Sequence, residues 1–307
     1  MRKYISTPED FALDTRPERP AKRGILLERT KTIKAGEYLE CEIFPVVLME
    51  QGNRQQRRKK SQEAIQKANR ERARRKLERL LNANFGPGDL LLHLTMAKPC
   101  GFEEMQRLVR NYIRRLKDRA KKREAACVYV YVIETTGEGS RERHHVHMVL
   151  STSAPAQRDG CGENKKHGEE AQTAEERGCA DNHGWIDRDE AEKLWGHGLA
   201  RADRCQRQEK GLAGFARYIT QRKETQRRLM ARSWGASKGL RQPTVTVADH
   251  KFSRAAAAKI ARDLEGDARA ILEKKYPGYR LIEQPVIRYS DWLPGCYVYA
   301  MMERRRD

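Results

Sequence analysis

The clearest pattern of hydrophobic and polar positions lies in the middle of the chain. Asp89–Met96 reads DLLLHLTM, Cys127–Glu134 reads CVYVYVIE and His144–Ser151 reads HHVHMVLS. Each run is short, apolar or β-branched, as strands are. Between the first two, Glu103–Glu124 places Met105, Leu108, Val109, Tyr112, Ile113 and Leu116 three or four residues apart, which puts them on one helix face. The order strand, helix, strand, hairpin, strand predicts an α+β fold with a central antiparallel sheet flanked by helices.

The flanks are less regular. The first 30 residues are polar, with Pro17 and Pro20, and read as irregular. Residues 31–48 alternate around Ala35-Gly36 and predict a hairpin. Arg54–Leu81 reads as a helix whose apolar seam is Leu77, Leu80 and Leu81. Asn82–Gly88 breaks it, and 152–184 is polar and aperiodic, as a surface insertion would be. Further on, Asp187–Trp195 and Glu209–Lys223 predict helices, and Leu199–Asp203 a strand. An Ala-rich helix capped by Ser253 follows, then strands at Pro285–Tyr289 and Cys296–Met301. Three segments are expected: a hairpin and basic helical arm over 1–85, a core over 86–225, and a small C-terminal α/β extension over 226–307.

Charge narrows the function. The 307 residues hold 63 Lys plus Arg against 43 Asp plus Glu, a formal net charge of +20. No apolar run approaches the roughly 20 residues of a membrane span. The first residues lack the apolar core of a signal peptide, so a cytoplasmic protein is expected. A surplus of this size points to a polyanion such as nucleic acid. It is concentrated in Arg54–Leu81, with twelve basic residues against three acidic ones, Arg57, Arg58, Lys59, Lys60, Arg74, Arg75 and Lys76 among them. Nine more basic residues lie in the Glu103–Glu124 helix. Both segments are candidate phosphate-binding surfaces, against the plainer reading of solvated helix faces. The seven scattered cysteines form no CxxC pair and read as reduced thiols. The spacing of Cys161, His167, Cys179 and His183 matches no zinc module, so a solvated loop is the simpler reading.

Two constellations carry chemistry. Side chains alternate along a strand, so His145 and His147 share one face while Val146, Met148 and Leu150 take the other. A strand ending in Glu134, paired through a hairpin, can add a carboxylate, and two imidazoles with one carboxylate suit a catalytic metal with open positions. An HxH on a strand is also compatible with an incidental pair. The second constellation is Tyr218. On a helix, Leu212, Phe215, Ala216 and Ile219 form the buried stripe, with Tyr218 at its edge. There it could cap the core, or, among Arg217, Arg222 and Lys223, act as an activated phenol facing a phosphodiester.

These residues resemble the HUH endonucleases of the rolling-circle replication initiator type, in particular single-tyrosine initiators of phages and mobile elements. Tyr131–Glu134, a polar turn and Arg143–Ser151 look like that family's strand–turn–strand metal motif. Asp189–Asp203 followed by Gly211–Lys223 resembles the stretch leading to its nucleophile. Asn82–Thr95 is similar to the lead-in to its first strand, and Trp234–Pro243 to a segment after the nucleophile helix. The resemblance spans roughly residues 60–245. It departs at Gln221, where many relatives have lysine, and at Arg222, where two-tyrosine initiators have their second tyrosine. Relaxases place the tyrosine before the histidine pair, the reverse of the order here.

The resemblance implies a ferredoxin-like, RRM-like nuclease core and a divalent metal, Mg²⁺ or Mn²⁺, on His145, His147 and Glu134. Tyr218 would be the nucleophile that nicks single-stranded or hairpin origin DNA, leaving a 5′-phosphotyrosine. Arg217, Arg222 and Lys223, with the basic arm, would hold flanking phosphates. No phosphate loop G-x-x-x-x-G-K-[ST] is present, so unwinding would fall to a separate helicase. A single-tyrosine transposase or mobilisation protein would use the same chemistry. A catalytically silent DNA-binding regulator would keep the charge without it.

Overall fold

A computed structural model describes residues 24–49, 62–137, 143–153, 184–206, 210–220, 234–263, 266–289 and 294–305. The chain divides into two units. One comprises residues 1–84, 208–220 and 241–307, the other 85–207 and 221–240.

The second unit is built on an antiparallel sheet of β3 (Leu90–Thr95), β4 (Tyr129–Thr136), β5 (Arg143–Leu150), β6 (Ala200–Arg204) and β7 (Gly235–Ala236), in the order β6-β3-β5-β4-β7. Leu90, Leu92 and Leu94 of β3 and Val146, Met148 and Leu150 of β5 point to one face. There they pack with Met105, Leu108, Val109, Tyr112, Ile113 and Leu116 of helix α2 (Phe102–Lys122). Burying a side chain of this size stabilises by about 1.5–3 kcal/mol, so the apolar stripe fixes which sheet face is covered. Trp185, Trp195 and the short helix α3 (Arg188–Lys193) close the same core. The polar groups of its large aromatic residues have partners. Tyr112 donates its hydroxyl to the Ala191 carbonyl at 2.8 Å, and the indole N–H groups of Trp185 and Trp195 donate to the carbonyls of Ser151 and Thr95 at 2.8 and 2.7 Å. Asp187 caps α3 through the Glu190 amide.

The first unit holds β1 (Gly24–Ala35), β2 (Tyr38–Met49), β8 (Thr244–Asp249), β9 (Tyr279–Leu281), β10 (Val286–Tyr289) and β11 (Cys296–Arg304). Its sheet runs β10-β11-β2-β1-β8, with β9 also on β11 and every pairing antiparallel. One face carries Leu39, Cys41, Ile43, Val298, Ala300 and Met302, covered by Phe252, by helix α5 (Arg254–Arg262) and by helix α6 (Asp267–Lys275). Helix α1 (Gln62–Asn84) is tied to the opposite face through Arg79, which donates twice to Glu40 at 2.7 and 2.8 Å. Helix α4 (Ala213–Thr220) packs on α1, and the Leu212 amide donates to Asn82.

The predicted α+β class is observed, in two antiparallel sheets. The hairpin at residues 31–48 is present and longer than predicted: β1 begins at Gly24, inside the stretch read as irregular. Its polar residues concealed it. Glu28, Arg29, Thr30 and Thr32 are buried, and Arg29 forms a two-point ion pair with Asp249 at 2.5 and 2.7 Å. The segments read as an N-terminal arm and a C-terminal extension share one sheet, because β11 pairs with β2 and β8 with β1. The predicted 152–184 insertion lies mainly outside the described residues, as do Cys161, His167, Cys179 and His183. Cys41, Cys100, Cys127, Cys205 and Cys296 are free thiols. Among the described residues no helix is long and apolar enough to cross a membrane.

Candidate metal centre

The site lies on the face of the second sheet opposite α2. In the β4–β5 ladder Glu134 faces His145 and Val132 faces His147, so the hairpin sets the carboxylate beside both imidazoles. Glu134 Oε2 is 3.2 Å from His145 Nε2 and 3.0 Å from His147 Nε2. His144 belongs to the other face by alternation, where it meets Thr135 Oγ1 at 2.9 Å and the ring of Phe102.

A third histidine joins them. His93 on β3 pairs in register with His147, and its ring stacks on that of His147 at 4.6 Å between centroids and 4° between planes. One nitrogen from each of His93, His145 and His147 lies within 4.8 Å of the others. Sequence reasoning missed His93. The usable signal was its place in DLLLHLTM, on the face opposite Leu90, Leu92 and Leu94, but only the β3–β5 register shows which strand that face meets.

The electrostatics favour cation binding. Hydrogen bonds from His145 and His147 hold the Glu134 carboxyl well below the usual carboxylate range, against the opposing effect of burial. Burial, with the neighbouring imidazoles of His147 and His145, lowers the pKa of His93, which keeps its ring in the neutral, ligating form. The donor set fits a divalent ion. Ligands at about 2.1 Å from a metal stand roughly 3–3.5 Å from one another, close to the Glu134–histidine separations. The histidine nitrogens would close in by small side-chain rotations, and three imidazoles with a carboxylate suit a first-row divalent metal.

Other predicted residues are distributed as follows. Tyr218 lies in α4, and Arg217 beside it is exposed. In α1, Arg74 is ion-paired with Glu71 and Glu78, Arg75 lies 5.3 Å over the Tyr299 ring and Lys76 is exposed. Arg74 and Arg75 thus make contacts within the unit, leaving Lys76 the most open of the three. Arg57, Arg58, Lys59, Lys60, Arg222 and Lys223 are outside the described residues. Tyr276 is buried, its hydroxyl bonded to Thr32 and Cys41, and burial raises its pKa.

His93, Glu134, His145, His147 and Tyr218 all fall within one stretch that comparison with known families picks out. Residues 89–223 match the family of the replication-associated protein ORF2. The replication-associated stretch contains the whole histidine cluster, and it agrees with the resemblance to rolling-circle replication initiators. No curated protein and no solved structure matches the chain.

Proposed function

We propose that the protein initiates rolling-circle replication by nicking single-stranded origin DNA. The observation that carries this reading is the convergence of His93, Glu134, His145 and His147 on one sheet face, inside a replication-associated segment that also contains Tyr218. A divalent metal, Mg²⁺ or Mn²⁺, held by the three histidines and Glu134 would neutralise charge on a phosphate oxygen. Glu134 positions the His145 and His147 rings by accepting from both Nε2 atoms when no ion is held. Tyr218 attacks phosphorus, the 3′ oxygen leaves, and the 5′ phosphate stays on the phenolic oxygen. That ester conserves the energy of the broken bond, so a 3′-OH can later reseal the strand with release of tyrosine. Arg217, with Arg222 and Lys223, supplies cations beside the phenol, which favour its ionised form and hold the phosphate. The substrate is an unpaired strand or an extruded hairpin, with a separate helicase for unwinding and a cytoplasmic setting.

The test is a denaturing gel after incubation with single-stranded origin DNA and Mn²⁺. A covalent protein–DNA adduct is expected, absent in Tyr218→Phe and strongly reduced in His145→Ala and His147→Ala. An adduct that persists in Tyr218→Phe refutes the assigned nucleophile. Tight DNA binding with no cleavage of any candidate origin shows a silent DNA-binding regulator instead.

A further inference from the structure

The first unit carries a cavity of about 390 Å³ that shares no residue with the histidine cluster. Its floor is the β1–β8 ladder, where Thr32 pairs with Thr246 and Lys34 with Thr244, so these side chains share a face. Helices α5 and α6 cover the other strands of that face and leave these two open. Lys251, just after β8, and Lys275, the last residue of α6, form the walls, with Tyr276 and Tyr279 behind them.

Three ammonium groups therefore line one small space. Among the described residues, no carboxylate lies within ion-pair distance of Lys34, Lys251 or Lys275 in any salt bridge of this unit. Lys251 sits 3.8 Å over the Tyr276 ring, and Thr32 Oγ1 fixes the hydroxyl of that tyrosine at 2.5 Å. The ring faced by Lys251 is thereby held in place, and it holds the ammonium group at the cavity rather than in open solvent. Burial and the charges of Lys34 and Lys275 all depress the pKa of Lys251, as expected of like charges gathered without a counter-ion. Lysines and threonine hydroxyls offer donors and positive charge, the chemistry that holds phosphate oxygens. The volume suits one nucleotide unit.

We propose that this cavity binds a phosphate group of nucleic acid, as a second DNA contact built by the first unit alone. The experiment is lysine footprinting of the full-length protein. A limiting acetylating reagent is applied with a single strand of about 12 nucleotides, within the length one binding fold covers, with dAMP, or with inorganic phosphate. Peptide mass spectrometry then reads Lys34, Lys251 and Lys275 against Lys259 and Lys274, exposed lysines of the same unit outside the cavity. The strand is expected to protect the three cavity lysines and spare the two controls. Equal protection by dAMP assigns a nucleotide pocket, protection by inorganic phosphate a simple phosphate site, and protection by the strand alone a track for backbone. In Lys275→Gln, the strand concentration that half-protects Lys34 should rise about tenfold, the value of one charged hydrogen bond. The charge-matched Lys274→Gln should leave it unchanged. Unprotected cavity lysines, or equal effects of the two variants, overturn the proposal.

Discussion

Replacing His93 with alanine separates ligand from scaffold. The ring is exposed to solvent, stacks on His147 at 4.6 Å and lies outside the apolar core. An exposed substitution of this kind changes stability by no more than about 0.5 kcal/mol, so the thermal midpoint of His93→Ala should stay close to that of the native protein. Metal affinity should not. Groups that merely support a metal ligand are worth about 10- to 100-fold in affinity, and a direct ligand is worth at least as much. The loss is therefore at least about 1.4–2.7 kcal/mol of binding free energy. Calorimetric titration with Mn²⁺ measures it, with His144→Ala as control because that ring lies on the opposite face with Thr135 and Phe102. Unchanged Mn²⁺ affinity in His93→Ala, with His145→Ala weakened, refutes the three-histidine centre. Equal weakening by His144→Ala refutes the assignment of faces.

Arg79→Ala leaves Glu40 and Glu42 facing each other in a buried position and should destabilise by about 3–5 kcal/mol. Burial already raises the Glu42 pKa, so its ionised form costs the folded state more as pH rises through that pKa. Removing Arg79 raises it further, and urea unfolding should show a larger defect at about pH 8 than at about pH 5; equal defects would contradict this account. Tyr112→Phe strands the Ala191 carbonyl and should cost about 1–3 kcal/mol, with faster hydrogen exchange in α3 as the local readout. Gly198→Ala would place its Cβ 2.4 Å from the Ala97 amide nitrogen and 2.5 Å from the Thr95 carbonyl oxygen. Backbone atoms cannot step aside, so thermal unfolding should register a loss of about 1–3 kcal/mol, and an unchanged midpoint would mean that this backbone contact is not tight.

The nuclease-like half was legible because its signals are local. Leu90, Leu92 and Leu94, the α2 stripe and the alternation of His144–Leu150 all report which side of an element faces the core. The β4–β5 hairpin spans few residues, so the company of Glu134 with His145 and His147 could be read as well. Thr244–Asp249 was missed as a strand because both of its sides are exposed, which leaves no apolar alternation to detect. The α6 helix was missed too. Its buried residues are few, Ala268 and Leu272, in an otherwise charged run.

What the sequence by itself determined, then, is which residues share a face within one element: two imidazoles i, i+2 on β5, six apolar side chains on α2, and a run of positive charge. Tertiary structure alone decided which faces meet. The β3–β5 register brings His93 to His147 across more than fifty residues of chain, and the β1–β8 ladder and the end of α6 gather Lys34, Lys251 and Lys275. The physical reason is that periodicity arises from the geometry of a single element. Strand partnership is fixed by backbone ladders whose register is set by burying the opposite, apolar face.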